Sequence, residues 1–303
     1  MKTMSLAKRI ARHWELYLLL LPGIVLTIIF KYIPMYGIQI AFRDYNAAAG
    51  FWGSEWVGLR WFTKFFTNYN SIRMIRNTLL LSLYSLLWSF PMPIILALLF
   101  NQVKGQRFRK TVQTVVYAPH FISIMVLCGM IKIFLSPNGG LFNILLQNFG
   151  GQPVDFLGKA QWFRSIYVVS GIWQDTGWGT ILYLATLSGV DTQLYDAAKV
   201  DGANKWKLIR HIDFPVLIPI IIIQLIMSFG NLMNVGFEKA FLLQTTLNAP
   251  TSDIIATYVY RQGILKAQYS FSTAVGLFNT AVNLVLLIAV NRICKKASDV
   301  SFI

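Results

Sequence analysis

The chain has 303 residues, 55% of them hydrophobic and 13% charged, with a mean hydropathy of +0.55 and a formal net charge of +15. A soluble domain carries about a quarter charged residues, so this composition excludes an ordinary soluble protein and points to a polytopic membrane protein. The basic excess would suggest nucleic acid in a soluble chain, but here Lys and Arg flank apolar runs, so the expected partner is membrane lipid and not nucleic acid.

Taken in chain order, six apolar runs have the length of a spanning helix: 16–36, 77–100, 114–135, 165–188, 215–237 and 271–292. They predict an all-α fold, a polytopic membrane helical bundle of six transmembrane helices. Lys2, Lys8, Arg9 and Arg12 precede the first run as they would in a signal peptide. Its apolar core is long, however, and the cleavage-like Ala47-Ala48-Ala49 stands well beyond it, so the first span is read as uncleaved. The loop that follows carries Trp52, Trp56 and Trp61 with Arg60, Lys64 and Arg73, which reads as an interfacial aromatic belt or as a docking surface for an external protein. Pro91 and Pro93 are expected to kink the second span. The fourth contains Asp175, and a carboxylate at the centre of a span costs roughly 2.5–3.5 kcal/mol, so it faces a cavity or a partner. Cys128 and Cys294 are too few and too far apart to frame a disulfide scaffold or a metal cluster.

Orientation follows from Lys and Arg. With the amino terminus inside, the four inner segments hold four, four, four and three of them, while the outer segments hold ten over much longer loops. That density predicts both termini in the cytoplasm. It also puts the polar stretch between the fourth and fifth spans on the inner side. This stretch runs Tyr195-Asp196-Ala197-Ala198-Lys199-Val200-Asp201-Gly202-Ala203 and continues through Trp206 and Ile209 to Asp213-Phe214-Pro215. Ala197, Ala198, Trp206 and Ile209 are expected to give a short amphipathic helix its apolar face, and Gly202 a break where a left-handed residue costs little.

Asp196-Ala197-Ala198, then Asp201-Gly202-Ala203, then Pro215 and Pro219, resemble the coupling loop of the binding-protein-dependent permeases of ABC importers, with Asp196 in place of the family's usual Glu. Further segments resemble the oligosaccharide branch of that family in the same order: Arg76-Asn77-Thr78-Leu79-Leu80, Ala97-Leu98-Leu99-Phe100-Asn101, Tyr117 to Ser123, Ser136 to Gly140, and Trp173 to Trp178. The similarity runs over residues 72–293. It is nearest to a subgroup associated with fragments of plant or algal polysaccharides, uronate-containing ones included.

The resemblance implies a type I ABC importer permease fold. Residues 1–71 would form an amino-terminal tail, first helix and outer loop, 72–293 the conserved transmembrane domain with its coupling loop at 191–214, and 294–303 a short inner tail. It implies a bacterial or archaeal cytoplasmic membrane, a second and different permease subunit, two ATPase subunits and an extracytoplasmic solute-binding protein. The chain would need no cofactor of its own, ATP being bound by the partner ATPases. Asp196, Ala197, Ala198, Asp201, Gly202, Ala203, Trp206 and Pro215 are the implied ATPase-coupling residues. A sugar path needs aromatic faces and amide or carboxylate edges, which Trp173, Gln174, Asp175, Trp178, Asn231, Asn234, Asn279 and Asn283 offer. For the amides, hydrogen bonds between helices are the other reading.

An ATPase or another enzyme is not expected. The chain has no Gly-x-x-x-x-Gly-Lys-Ser/Thr phosphate cradle, and His13, His120 and His211 are scattered. Alternatives are a permease of the same superfamily for another solute, an ion-coupled transporter and a membrane-embedded enzyme. The last two would show repeated halves with matched broken helices, or clustered acids and histidines, respectively.

Overall fold

The computed structural model describes residues 12–298, so Lys2, Lys8 and Arg9 of the predicted inner cluster and residues 299–303 of the tail lie outside it. Its main helices are α1 (Trp14–Phe42), α2 (Arg60–Thr67), α3 (Tyr69–Asn101), α4 (Gln106–Phe121), α5 (Ile124–Phe134), α6 (Leu141–Asn148), α7 (Ala160–Ser188), α8 (Thr192–Val200), α9 (Lys205–Gly230), α10 (Phe237–Leu243), α11 (Ile255–Tyr260) and α12 (Tyr269–Ser298). The all-α expectation meets one small exception in the loop after α1. There β1 (Arg43–Asp44) pairs antiparallel with β2 (Glu55–Trp56), Arg43 opposite Trp56.

Among the described residues four helices are long and apolar enough to cross a membrane, α1, α3, α9 and α12, or five with α4 and α5 counted together. The third predicted span, 114–135, is corrected by this pair: it is not one helix, and its two halves meet at 96°. Pro119 lies in a tight turn over Ala118–Phe121, Ile122 is extended, and the Ser123 hydroxyl accepts from the Val126 N–H at 3.3 Å to start α5. The fourth predicted span lies inside α7, which has 29 residues but a polar and aromatic middle at Trp173–Trp178, so it falls short on apolarity and not on length. The fifth, 215–237, ends early. The helix stops at Gly230, and Asn231–Gly236 is a break before α10.

Prolines account for two local irregularities. The helical turns widen at Ile28–Tyr32 and at Ile209–Asp213, just ahead of Pro34 and Pro215. A proline offers no N–H and its ring crowds the carbonyl four residues back, and a π turn opens the spiral enough to pass it. In α3 the expected irregularity falls at Phe90, directly before Pro91.

Helix α1 buries no side chain between Trp14 and Thr27, whereas its last turns, Tyr36–Phe42, pack on α12. The other helices enclose three apolar clusters, around Phe163 and Leu127, around Phe65 and Phe271, and around Tyr183 and Leu217. Helix α7 contributes to the first and third. It approaches α4 closely because Gly177 has no side chain: a Cβ there would lie 2.1 Å from the Val116 carbonyl oxygen. Gly177→Ala should therefore force the two helices apart, at about 1–3 kcal/mol for an overpacked site. A thermal melt of the purified protein checks this, and an unchanged melting temperature would contradict the packing.

Candidate functional site

Two features stand out, a protruding helix pair at the α7–α9 connection and a cavity beside α7. The first begins at Asp191, whose carboxylate caps α8 by accepting from the Gln193 N–H at 2.9 Å. At the other end Gly202 adopts φ +76°. Around it the Gly202 N–H donates to the Lys199 carbonyl at 3.0 Å and the Ala203 N–H to the Ala198 carbonyl at 2.8 Å, the bond pair of a Schellman stop. Asn204 then caps α9 by accepting from the Lys207 N–H at 2.9 Å.

This geometry changes one sequence expectation. Ala197 and Ala198 lie on α8 while Trp206 and Ile209 lie on α9, so the apolar face is split over two helices with Gly202 between them. Leu194, Val200 and Trp206 are exposed, as are Asp196, Ala197, Asp201 and Gly202, while Ala203 is half-buried. Asp196 is engaged by Lys199 at 2.8 Å on the same helix, an exposed pair that adds little stability. Pro215 lies in the first turn of the regular part of α9, Phe214–Gly230, just after its widened turn.

The loop is anchored by residues the sequence did not single out. Asp213 is fully buried. Its carboxylate accepts from the Tyr195 hydroxyl at 2.6 Å, from Nδ2 of Asn101 at 3.0 Å and from Nε2 of Gln102 at 2.7 Å. One side chain thus ties α8, the end of α3 and the start of α9 together. Burial and then the bond to Asp213 push the Tyr195 hydroxyl up to about 12, so it remains a donor. The available signal was a lone acid two residues before Pro215, with two adjacent amides ending the second span.

The cavity, of about 910 Å³, is open to one side and bounded by α3, α7, the end of α9, the break after it and α10. That is within the size range of small-molecule sites, about 300–1,000 Å³. Of the residues expected to form a solute path, Gln174, Asp175, Trp178, Asn231 and Asn234 line it, while Trp173, Asn279 and Asn283 do not. His120 stacks on Trp178 with ring centroids 4.5 Å apart and bonds Asp175 Oδ1 at 3.0 Å. Several amides serve the backbone where helices break. Gln174 donates to the Ile122 carbonyl at the bend between α4 and α5, at 2.8 Å. Asn283 accepts from the Met233 N–H at 2.8 Å, and Asn279 donates to the Met233 carbonyl at 3.4 Å and to the Asn234 side-chain Oδ1 at 2.9 Å, all in the break after α9.

Lys239 also lines the cavity and was not anticipated. In the sequence it counts as an outer-loop cation, but the structure leaves it only 7% exposed. Its Nζ donates to the Tyr167 carbonyl at 2.8 Å and lies 4.8 Å from the Tyr167 ring centroid. Gly171 leaves it room, since a Cβ there would come within 3.3 Å of the ammonium.

Comparison with known proteins gives these features a context. The family model described as "Binding-protein-dependent transport system inner membrane component" matches residues 65–298. Protein LplB of Bacillus subtilis (strain 168) is 44% identical over 295 residues, 97% of this chain and 93% of that one. The polygalacturonan/rhamnogalacturonan transport system permease protein YteP of the same organism is 43% identical, over 98% of this chain and 93% of its own. A chain in the crystal structure of a bacterial alginate ABC transporter, in complex with an alginate pentasaccharide-bound periplasmic protein, superposes with a TM-score of 0.89 at 42% identity, covering 98% of this chain and 99% of that one. Matched over most of its length by the family model, and at this identity over 93% of each of these two relatives, the chain belongs to the inner membrane components of binding-protein-dependent transport systems.

Proposed function

We propose that the chain is a transmembrane permease subunit of an ATP-driven, binding-protein-dependent importer of oligosaccharides, fragments of acidic polysaccharides among them. The carrying observation is the protruding α8–Gly202–α9 element with exposed Leu194, Val200 and Trp206, fixed to the bundle through buried Asp213. Such an element transmits a push from a soluble partner without bending. The relatives' names support the solute class: polygalacturonan and rhamnogalacturonan for one, alginate for another.

In this reading the chain sits in a bacterial cytoplasmic membrane with six spans, α7 and the α4–α5 pair each counting as one, and with both termini inside. It pairs with a second permease subunit, two ATPase subunits and an external binding protein, and it holds no nucleotide itself. Asp196 to Ala203 and Trp206 meet the ATPase. Closure of the ATPase dimer favours one arrangement of α8 over the other, and only that difference in affinity moves the bundle. The cavity beside α7 is the stretch of the path that this subunit contributes, with Trp178, Asp175, Asn231 and Asn234 facing the solute.

Liposomes containing the assembled complex should take up an oligosaccharide only with ATP and the external binding protein, and ionophores should not abolish uptake. Uptake by this chain alone without nucleotide would overturn the reading.

A further inference from the structure

We propose that Lys239 is a specificity-determining residue, a fixed cation on the cavity wall that reads a carboxylate on the passing sugar. The proposal rests on the importer reading above and adds to it the residue that selects charge.

Burying an ammonium is costly unless a partner offsets its charge. Among the described residues no carboxylate lies within ion-pair distance of Lys239. An ammonium has three donors. One is used by the Tyr167 carbonyl, and the ring of Tyr167 covers one side of the charge. These contacts hold the group in place but bring no negative charge. The acid on the same wall, Asp175, is held by His120. A wall with a fixed cation that makes no ion pair within the chain is chemically matched to a sugar that carries a carboxylate group. A neutral sugar would leave the charge unanswered, whereas a charge-assisted bond to a carboxylate is about twice as strong as a neutral one.

The test compares uptake of an acidic oligosaccharide with uptake of its methyl ester, by wild type and by Lys239→Gln in the full complex. Both variants use the same binding protein, so its own preference cancels from the comparison. Lys239→Gln should lower kcat/KM for the acid about tenfold more than for the ester, and Lys239→Arg should keep most of the preference. An equal loss on both substrates makes Lys239 a clamp between α10 and α7 and overturns the proposal, as does no loss on either. If wild type takes up neither compound, it is the importer reading that fails. If Lys239→Gln does not co-purify with its partners, Asp175→Asn gives the second test. Removing a negative charge from the same wall should raise the acid-to-ester ratio, and an unchanged ratio would show that the wall's charges do not read the solute.

Discussion

Gly202→Val should lower substrate uptake about tenfold or more while the complex still assembles. Gly202 holds φ +76°, and a Cβ added there meets nothing within 4 Å. The penalty is therefore one of backbone conformation and not of crowding. A left-handed residue with a side chain costs about 1–3 kcal/mol, most for a β-branched one. The chain can avoid that cost only by giving up the bonds from Gly202 and Ala203 to the Lys199 and Ala198 carbonyls, which set the angle between α8 and α9. A graded series separates conformation from contact. Asn tolerates the left-handed region and should stay near wild type, Ala should be intermediate, and Val worst. Uptake and nucleotide hydrolysis measured on the same liposomes give the readout, with hydrolysis persisting where uptake falls. If Asn proves as damaging as Val, the partner reads the bare glycine surface; if Val is harmless, the α8–α9 angle does not matter for coupling.

The sequence discloses the helices better than their breaks. Apolar runs located α3, α9 and α12 because each holds an apolar stretch of membrane-spanning length. The bend of 96° between α4 and α5 was not legible, since Ile124–Phe134 is so apolar that it masks the few residues from Pro119 to Ser123 where the direction changes. Asn279 and Asn283 carry two readings in the sequence, solute ligand or hydrogen bond between helices, and only the fold shows that Asn283 accepts from the Met233 N–H while Asn279 donates to the Met233 carbonyl and the Asn234 side chain, in the break after Gly230. That role depends on a second helix, α12, arriving alongside. Lys239 is a different case. A lysine among aromatic neighbours counts as an exposed topology charge until α7 is seen to cover it. The turn at Gly202 was legible because its signal is local, one glycine in a polar stretch where a left-handed residue costs little.

Asp213→Ala should loosen α8 from the bundle and uncouple the importer more completely than any single change on the exposed face of α8. The Asp213 carboxylate is the shared acceptor for three donors that come from two other elements, Tyr195 on α8 and Asn101 and Gln102 at the end of α3. Removing it takes the acceptor from Tyr195 and Gln102, at about 1–3 kcal/mol for each donor left unsatisfied, while Asn101 keeps a bond to the Tyr195 hydroxyl at 3.2 Å. By contrast, the exposed Asp196–Lys199 pair is worth at most about 1 kcal/mol, so Asp196→Ala should leave α8 in place. Asp213→Asn should fall between wild type and Asp213→Ala. One amide oxygen can still accept from Tyr195 and Asn101, while its NH2 meets the Gln102 NH2 unless Gln102 turns to present its own oxygen. Hydrogen exchange gives the direct measurement. In Asp213→Ala the amides of 192–203 should exchange faster than in wild type, with those in the α7 core unchanged, and uptake should fall at least as far as in Gly202→Val. If exchange across 192–203 stays at the wild-type rate, α8 is held by something other than the buried carboxylate. The push from the ATPase would then have to enter the bundle through α9 alone.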